Sequence, residues 1–81
     1  ERDLMLIKVR AQGAARDEVK RTTDIFRGQI VDVGPNSYTI QLTGTSDKLD
    51  SFVAAMMDVD ILEVVRSGVA GISRGEKVLS L

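Results

Sequence analysis

The stretch Val19-Lys20-Arg21-Thr22-Thr23-Asp24-Ile25-Phe26-Arg27-Gly28-Gln29-Ile30-Val31-Asp32-Val33 changes period half-way along, and that change decides the fold. Up to Phe26 the spacing is helical, with Val19, Thr22 or Thr23, and Phe26 on one face. Gly28 is the expected left-handed residue at the helix end, with Lys20, Arg21 and Arg27 near the negative end of the helix dipole. From Gln29 the period is two, with Val31 and Val33 pointing one way and Ile30 and Asp32 the other. A helix that runs straight into a strand predicts a crossover unit packed on a sheet.

Upstream, Leu4 to Arg10 alternates as a strand, with Met5, Ile7 and Val9 on one face and Leu4, Leu6, Lys8 and Arg10 on the other. Ala11 to Ala15 is expected to be a loop. The helix then starts at about Arg16, with Asp17 and Glu18 in its first turn complementing the dipole. Downstream, Gly34-Pro35-Asn36-Ser37 has turn chemistry, and Tyr38, Ile40 and Leu42 alternate with Thr39, Gln41 and Thr43, so the two strands form a hairpin. Ser46 or Thr45 can cap a second helix, with Asp47 and Asp50 in its first turns. Leu49, Phe52, Val53 and Met56 follow at i, i+3, i+4 and i+7, which marks them as core. Asp58-Val59-Asp60 breaks this helix before a fourth strand, Ile61 to Arg66.

The order strand, helix, strand, strand, helix, strand predicts an α+β ferredoxin-like βαββαβ sandwich. It has a four-stranded antiparallel sheet, spatial order 4-1-3-2, and two helices on one face. The other face is left for water, a ligand or another protein.

The 81 residues make one small domain that buries about three-fifths of its unfolded surface, so association is expected to add stability. Eleven Lys plus Arg against 12 Asp plus Glu give a net charge of −1, and no basic run tracks a phosphate backbone, which argues against nucleic acid. Tyr38 is the one aromatic on a predicted strand and sits among core positions, so the base-stacking surface of an RNA-recognition module is missing. Cysteine and histidine are absent, which removes disulfides, the usual zinc sites, thiol nucleophiles and imidazole catalysis. A cytoplasmic protein is the expectation. No apolar run reaches membrane-spanning length and no signal peptide is visible. The chain begins Glu1-Arg2-Asp3, not with methionine, and is expected to be a piece of a longer protein.

Asp58, Asp60 and Glu63 invite a metal reading, but without a shaping glycine or further oxygens a helix-to-strand turn is preferred. The tail Gly68-Val69-Ala70-Gly71-Ile72-Ser73-Arg74-Gly75 is glycine-rich yet opens onto no convincing helix, so it is read as a mobile or partner-docked segment, not a phosphate loop. No nucleophile is spaced with a base and an orienting group, so no catalytic, cofactor-binding or metal residue is assigned. Arg27, Arg66 and Arg74, charged groups beside glycines, are the expected partner contacts.

Three stretches carry a family likeness: Arg2 to Val9; Glu18 to Val33; and Leu42 to Asp50 with Glu63 to Gly75. The most diagnostic are the Ile25-Phe26-Arg27-Gly28 turn and the Arg66-Ser67-Gly68 to Arg74-Gly75 ending. With these the chain closely resembles the C-terminal domain of the small, regulatory subunit of acetolactate synthase (acetohydroxyacid synthase). The resemblance implies a non-catalytic partner of the catalytic subunit that supports its activation and its valine feedback inhibition in branched-chain amino-acid synthesis. It further implies thiamine diphosphate, Mg and FAD on the catalytic subunit and none on this chain, an N-terminal ACT domain missing from this piece, and a homo-oligomer. The competing expectation is an ACT-like domain that itself binds an amino acid.

Overall fold

A computed structural model describes residues 2–68. Its elements are β1 (Asp3–Arg10), α1 (Ala14–Ile25), β2 (Gln29–Val33), β3 (Ser37–Gly44), α2 (Ser46–Ala55) and β4 (Ile61–Gly68). The strands form one antiparallel sheet in the order β2-β3-β1-β4, the predicted order read from the other edge. Asp3 lies opposite both Gly44 and Gly68, while Arg10 lies opposite Ser37 at the far end.

One apolar cluster holds the layers together. Met5, Ile7 and Val9 of β1 are fully buried with Ile40 and Leu42 of β3, against Val19 of α1 and Leu49 and Phe52 of α2. Both helices therefore pack on the same sheet face, as the alternation in β1 requires: its even-numbered residues lie on the opposite face, where Leu4 is exposed and Leu6 half-buried. Phe26, at the end of α1, meets Phe52 edge to face with ring centroids 5.2 Å apart. This geometry suits the ring quadrupoles and adds to the area that the pair removes from water.

The two helices begin by different means. Thr45 caps α2, its hydroxyl accepting a hydrogen bond from the Lys48 amide at 3.2 Å. Gly13 caps α1 with no side chain to offer, and α1 starts at Ala14, two residues before the expected Arg16. The cause is local: at φ 57°, ψ −132° Gly13 turns the chain so that its carbonyl already accepts the Arg16 amide at 3.1 Å, taking Ala14 and Ala15 into the helix. Asp17 remains in the first turn, whereas Glu18 falls outside it.

The end of α1 also differs from expectation. Arg27, not Gly28, takes the left-handed conformation, at φ 62°. The Gly28 amide bonds to the Thr23 carbonyl at 2.8 Å and the Arg27 amide to the Asp24 carbonyl at 3.0 Å, the paired bonds of a Schellman ending with Arg27 at the left-handed position. Gly28 is needed for space instead: a Cβ there would lie 3.2 Å from the Gln41 carbonyl oxygen, Leu42 Cδ1 and Thr23 Cγ2. No basic residue occupies the last turn, so Lys20 and Arg21 do not serve the dipole as expected.

Both edge strands carry a bulge. Ile30 pairs with Ile40 and Asp32 with Thr39, leaving Val31 extra on β2; Glu63 pairs with Lys8 and Ile61 with Val9, leaving Leu62 extra on β4. The first bulge breaks the expected alternation: Ile30 packs on the core while Val31 and Val33 are exposed. Bulged edges resist the addition of a foreign strand, so strand pairing is a poor mode of association here.

Candidate functional site

Two of the arginines singled out from sequence, Arg27 and Arg66, fall at one end of the sheet. Asp3, the Gly44–Ser46 corner, the end of β4 and the α1–β2 corner lie together there, because β1 and β2 start at that end and β3 and β4 finish at it.

Arg66 stands opposite Met5, on the helix-bearing side of the sheet. Its guanidinium donates to Asp50 of α2 at 2.7 Å and comes within 3.9 Å of Asp3 of β1. The Asp3 carboxylate in turn accepts from the Ser46 hydroxyl at 3.3 Å. Arg66 thus ties β4 to β1 and α2, and its side chain is about one-third exposed at 32%. A partner that used this guanidinium would have to compete with two carboxylates of the chain itself.

Arg27 is exposed, and no hydrogen bond or ion pair among the described residues engages its guanidinium. Phe26 before it is fixed on Phe52, and Gly28 after it is fixed against β3. Ile25, on the other side of Phe26, is 69% exposed. An apolar and a cationic side chain are therefore held outward on a corner whose inward residues are locked. Arg74 and the tail from Val69 to Lys77 lie outside the described residues.

Sequence reasoning missed Arg16. Its guanidinium donates to the carbonyls of Ala11 at 3.0 Å, Pro35 at 2.9 Å and Gly34 at 3.3 Å, and lies 4.5 Å from the centroid of the Tyr38 ring. One guanidinium nitrogen, Nη1, supplies all three bonds and joins the end of β1, the start of α1 and the β2–β3 turn. The available signal was the Gly34-Pro35 turn, whose outward carbonyls need a donor.

Two surface grooves flank this frame. One, of about 210 Å³, is lined by Arg10, Gln12, Ala15, Asp58, Val59 and Asp60; the other, of about 330 Å³, by Asp3, Thr45, Ser46 and Asp47. Both are open to solvent, unlike the enclosed pockets that hold small ligands. In the first, Asp60 accepts from Arg10 Nε at 3.1 Å. Glu63 stands opposite Lys8. Among the described residues no three acidic side chains converge as a cation would require, and no helix is long and apolar enough to cross a membrane.

Comparison with known proteins places this frame. The family model described as "Small subunit of acetolactate synthase" matches residues 2–75. The acetolactate synthase isozyme 3 small subunits of Salmonella typhimurium and Escherichia coli K12 are each 61% identical over 98% of this chain and 49% of their own length. The acetolactate synthase small subunit of Haemophilus influenzae is 62% identical over 95% of this chain and 48% of its own. Among solved structures, the acetolactate synthase small subunit from Thermotoga maritima superposes with a TM-score of 0.76 at 33% identity, covering 83% of this chain and 41% of that one. The chain spans about half the length of the curated relatives it matches. The Ile25-Phe26-Arg27-Gly28 corner and the Arg66–Gly75 ending both fall inside the matched residues, and with the same fold beneath them the chain belongs to the acetolactate synthase small-subunit family.

Proposed function

We propose that the chain is the C-terminal domain of a regulatory subunit of acetolactate synthase, a non-catalytic module that supports activation of the catalytic subunit and its feedback inhibition by valine. The single observation that carries this reading is family membership at 61% identity across nearly the whole chain. In this reading thiamine diphosphate, Mg and FAD belong to the catalytic subunit, valine is sensed in an upstream ACT domain, the subunit works as a homo-oligomer, and the compartment is the cytoplasm. The openness of the grooves among the described residues supports an interaction module over a small-ligand pocket.

The test uses the purified catalytic subunit with the full-length regulatory subunit that carries this sequence, and the 81-residue chain alone for titration. Acetolactate formation is expected to rise severalfold with the full-length subunit and to become sensitive to valine. Calorimetry of the 81-residue chain with valine, leucine and isoleucine is expected to give no binding heat. Failure of the full-length subunit to activate removes the regulatory reading. Saturable heat with any of the three amino acids replaces it with an amino-acid-binding domain.

A further inference from the structure

We propose that the Ile25–Arg27 corner is a docking point for the catalytic subunit, with Arg27 receiving a carboxylate of that partner, an assignment that rests on the regulatory-subunit reading above. Three features of the corner point there. Arg27 is the one non-glycine residue with positive φ among the described residues, at the position of a Schellman ending where glycine is least costly. A side chain kept there against the backbone preference stands where its own fold gains little from it. Backbone outliers of this kind gather at contact and switch sites. Among the described residues its guanidinium, like that of Arg2, meets no acceptor, whereas Arg10, Arg16, Arg21 and Arg66 each meet a carboxylate or carbonyl of the chain.

The third feature is rigidity. Phe26 anchors inward on Phe52, and Gly28 fits against the Gln41 carbonyl, so the direction of Ile25 and Arg27 is set before a partner arrives. The backbone is then pre-set, so association costs the ordering of the side chains alone, and an exposed isoleucine and an arginine on one turn supply the apolar contact and the charge that protein interfaces favour. The bulged edges disfavour the competing mode of strand addition. The occupant is acidic because an exposed guanidinium with no acceptor among the described residues is best matched by a carboxylate, which it can bind through two parallel hydrogen bonds.

The full-length subunit is compared with its Arg27→Gly, Arg27→Gln and Arg27→Glu variants for binding to the catalytic subunit, by concentration-dependent activation and by direct affinity at two salt concentrations. Thermal melting of each variant is recorded in parallel. Arg27→Gly is expected to hold its melting temperature while its affinity falls about tenfold or more, and Arg27→Glu to bind more weakly than Arg27→Gln. The wild-type affinity is expected to fall with salt more steeply than that of Arg27→Gln. If wild type neither binds nor activates, the regulatory reading fails. If wild type activates and all three variants match it, the docking assignment alone is overturned. If Arg27→Gly melts lower, the Gln and Glu variants, which share the left-handed backbone, decide: equal affinities overturn the assignment and unequal ones uphold it.

Discussion

The two ends of α1 solve the same problem with the residue types exchanged. At the N-terminal end a glycine, Gly13, takes the positive φ and an arginine, Arg16, is consumed by the fold through three carbonyls and the Tyr38 ring. At the C-terminal end an arginine, Arg27, takes the positive φ, and the neighbouring glycine supplies close approach to β3. The first arrangement spends its cation on internal hydrogen bonds and leaves the backbone unstrained. The second keeps a strained backbone and leaves its cation outside. A charged residue beside a glycine is thus no signal by itself; what separates a structural arginine from a contact arginine is whether the chain offers it acceptors.

If that contrast is right, the larger stability loss belongs to the N-terminal end. Arg16→Ala is expected to destabilise by about 2–3 kcal/mol, since hydrogen bonds from a charged donor are lost together and part-buried carbonyls are left unmet. For a domain of this size that lowers the melting temperature by roughly 10–20 °C. Arg16→Lys should recover only part of the loss, because a single ammonium nitrogen can replace Nη1 at the carbonyls but offers no planar face to lie over the Tyr38 ring. Thermal and urea unfolding of the three proteins measure this; a lysine variant as stable as wild type would show that one charged nitrogen, not the guanidinium plane over Tyr38, holds the corner.

Gly13→Ala is the next smaller effect, expected at about 1–2 kcal/mol of destabilisation. Nothing lies within 4 Å of a Cβ built at Gly13, so sterics with neighbours cannot be its cause. The whole effect would come from placing an L-residue at φ 57°, ψ −132°, a region open to glycine and poor for others. Denaturant unfolding with an unchanged m-value is the expected signature, and a neutral substitution would mean that the corner relaxes into an ordinary cap.

Much of this frame was legible in the sequence because it rests on period. Met5, Ile7 and Val9 alternate and are buried; Leu49, Phe52 and Met56 share a helical face and are buried; the order of elements leaves few sheet topologies, and the observed one is among them. What was illegible depends on competition between sites distant along the chain. Gly28 satisfies the statistical preference for a helix-ending glycine, but contact with Gln41 and Leu42 across the sheet claims it for another purpose and shifts the left-handed position to Arg27. Val31 became a bulge through its pairing with β3, which no local pattern records. Arg66 looked as available as Arg27, and only the fold brings Asp50 and Asp3 to it. The family likeness marked all three arginine neighbourhoods alike, whereas the geometry separates one arginine that ties the fold from one that faces outward.

The smallest expected effect carries the sharpest test of the comparison, because its sign is informative. Replacing Arg27 with alanine removes the side chain and keeps the left-handed cost; replacing it with glycine removes both, though glycine gives the unfolded chain more freedom to lose. The two terms leave Arg27→Gly more stable than Arg27→Ala by about 0.5–1 kcal/mol, the reverse of the order at an exposed position inside a helix, where alanine is favoured over glycine by a similar amount. Lys20, exposed in the middle of α1, supplies that internal control: Lys20→Ala should be the more stable of its own pair. Opposite orders at 20 and 27, measured by chemical unfolding, locate the left-handed residue from stability alone. The same order at both would return the helix end to Gly28 and remove the backbone reason for assigning Arg27 to a partner.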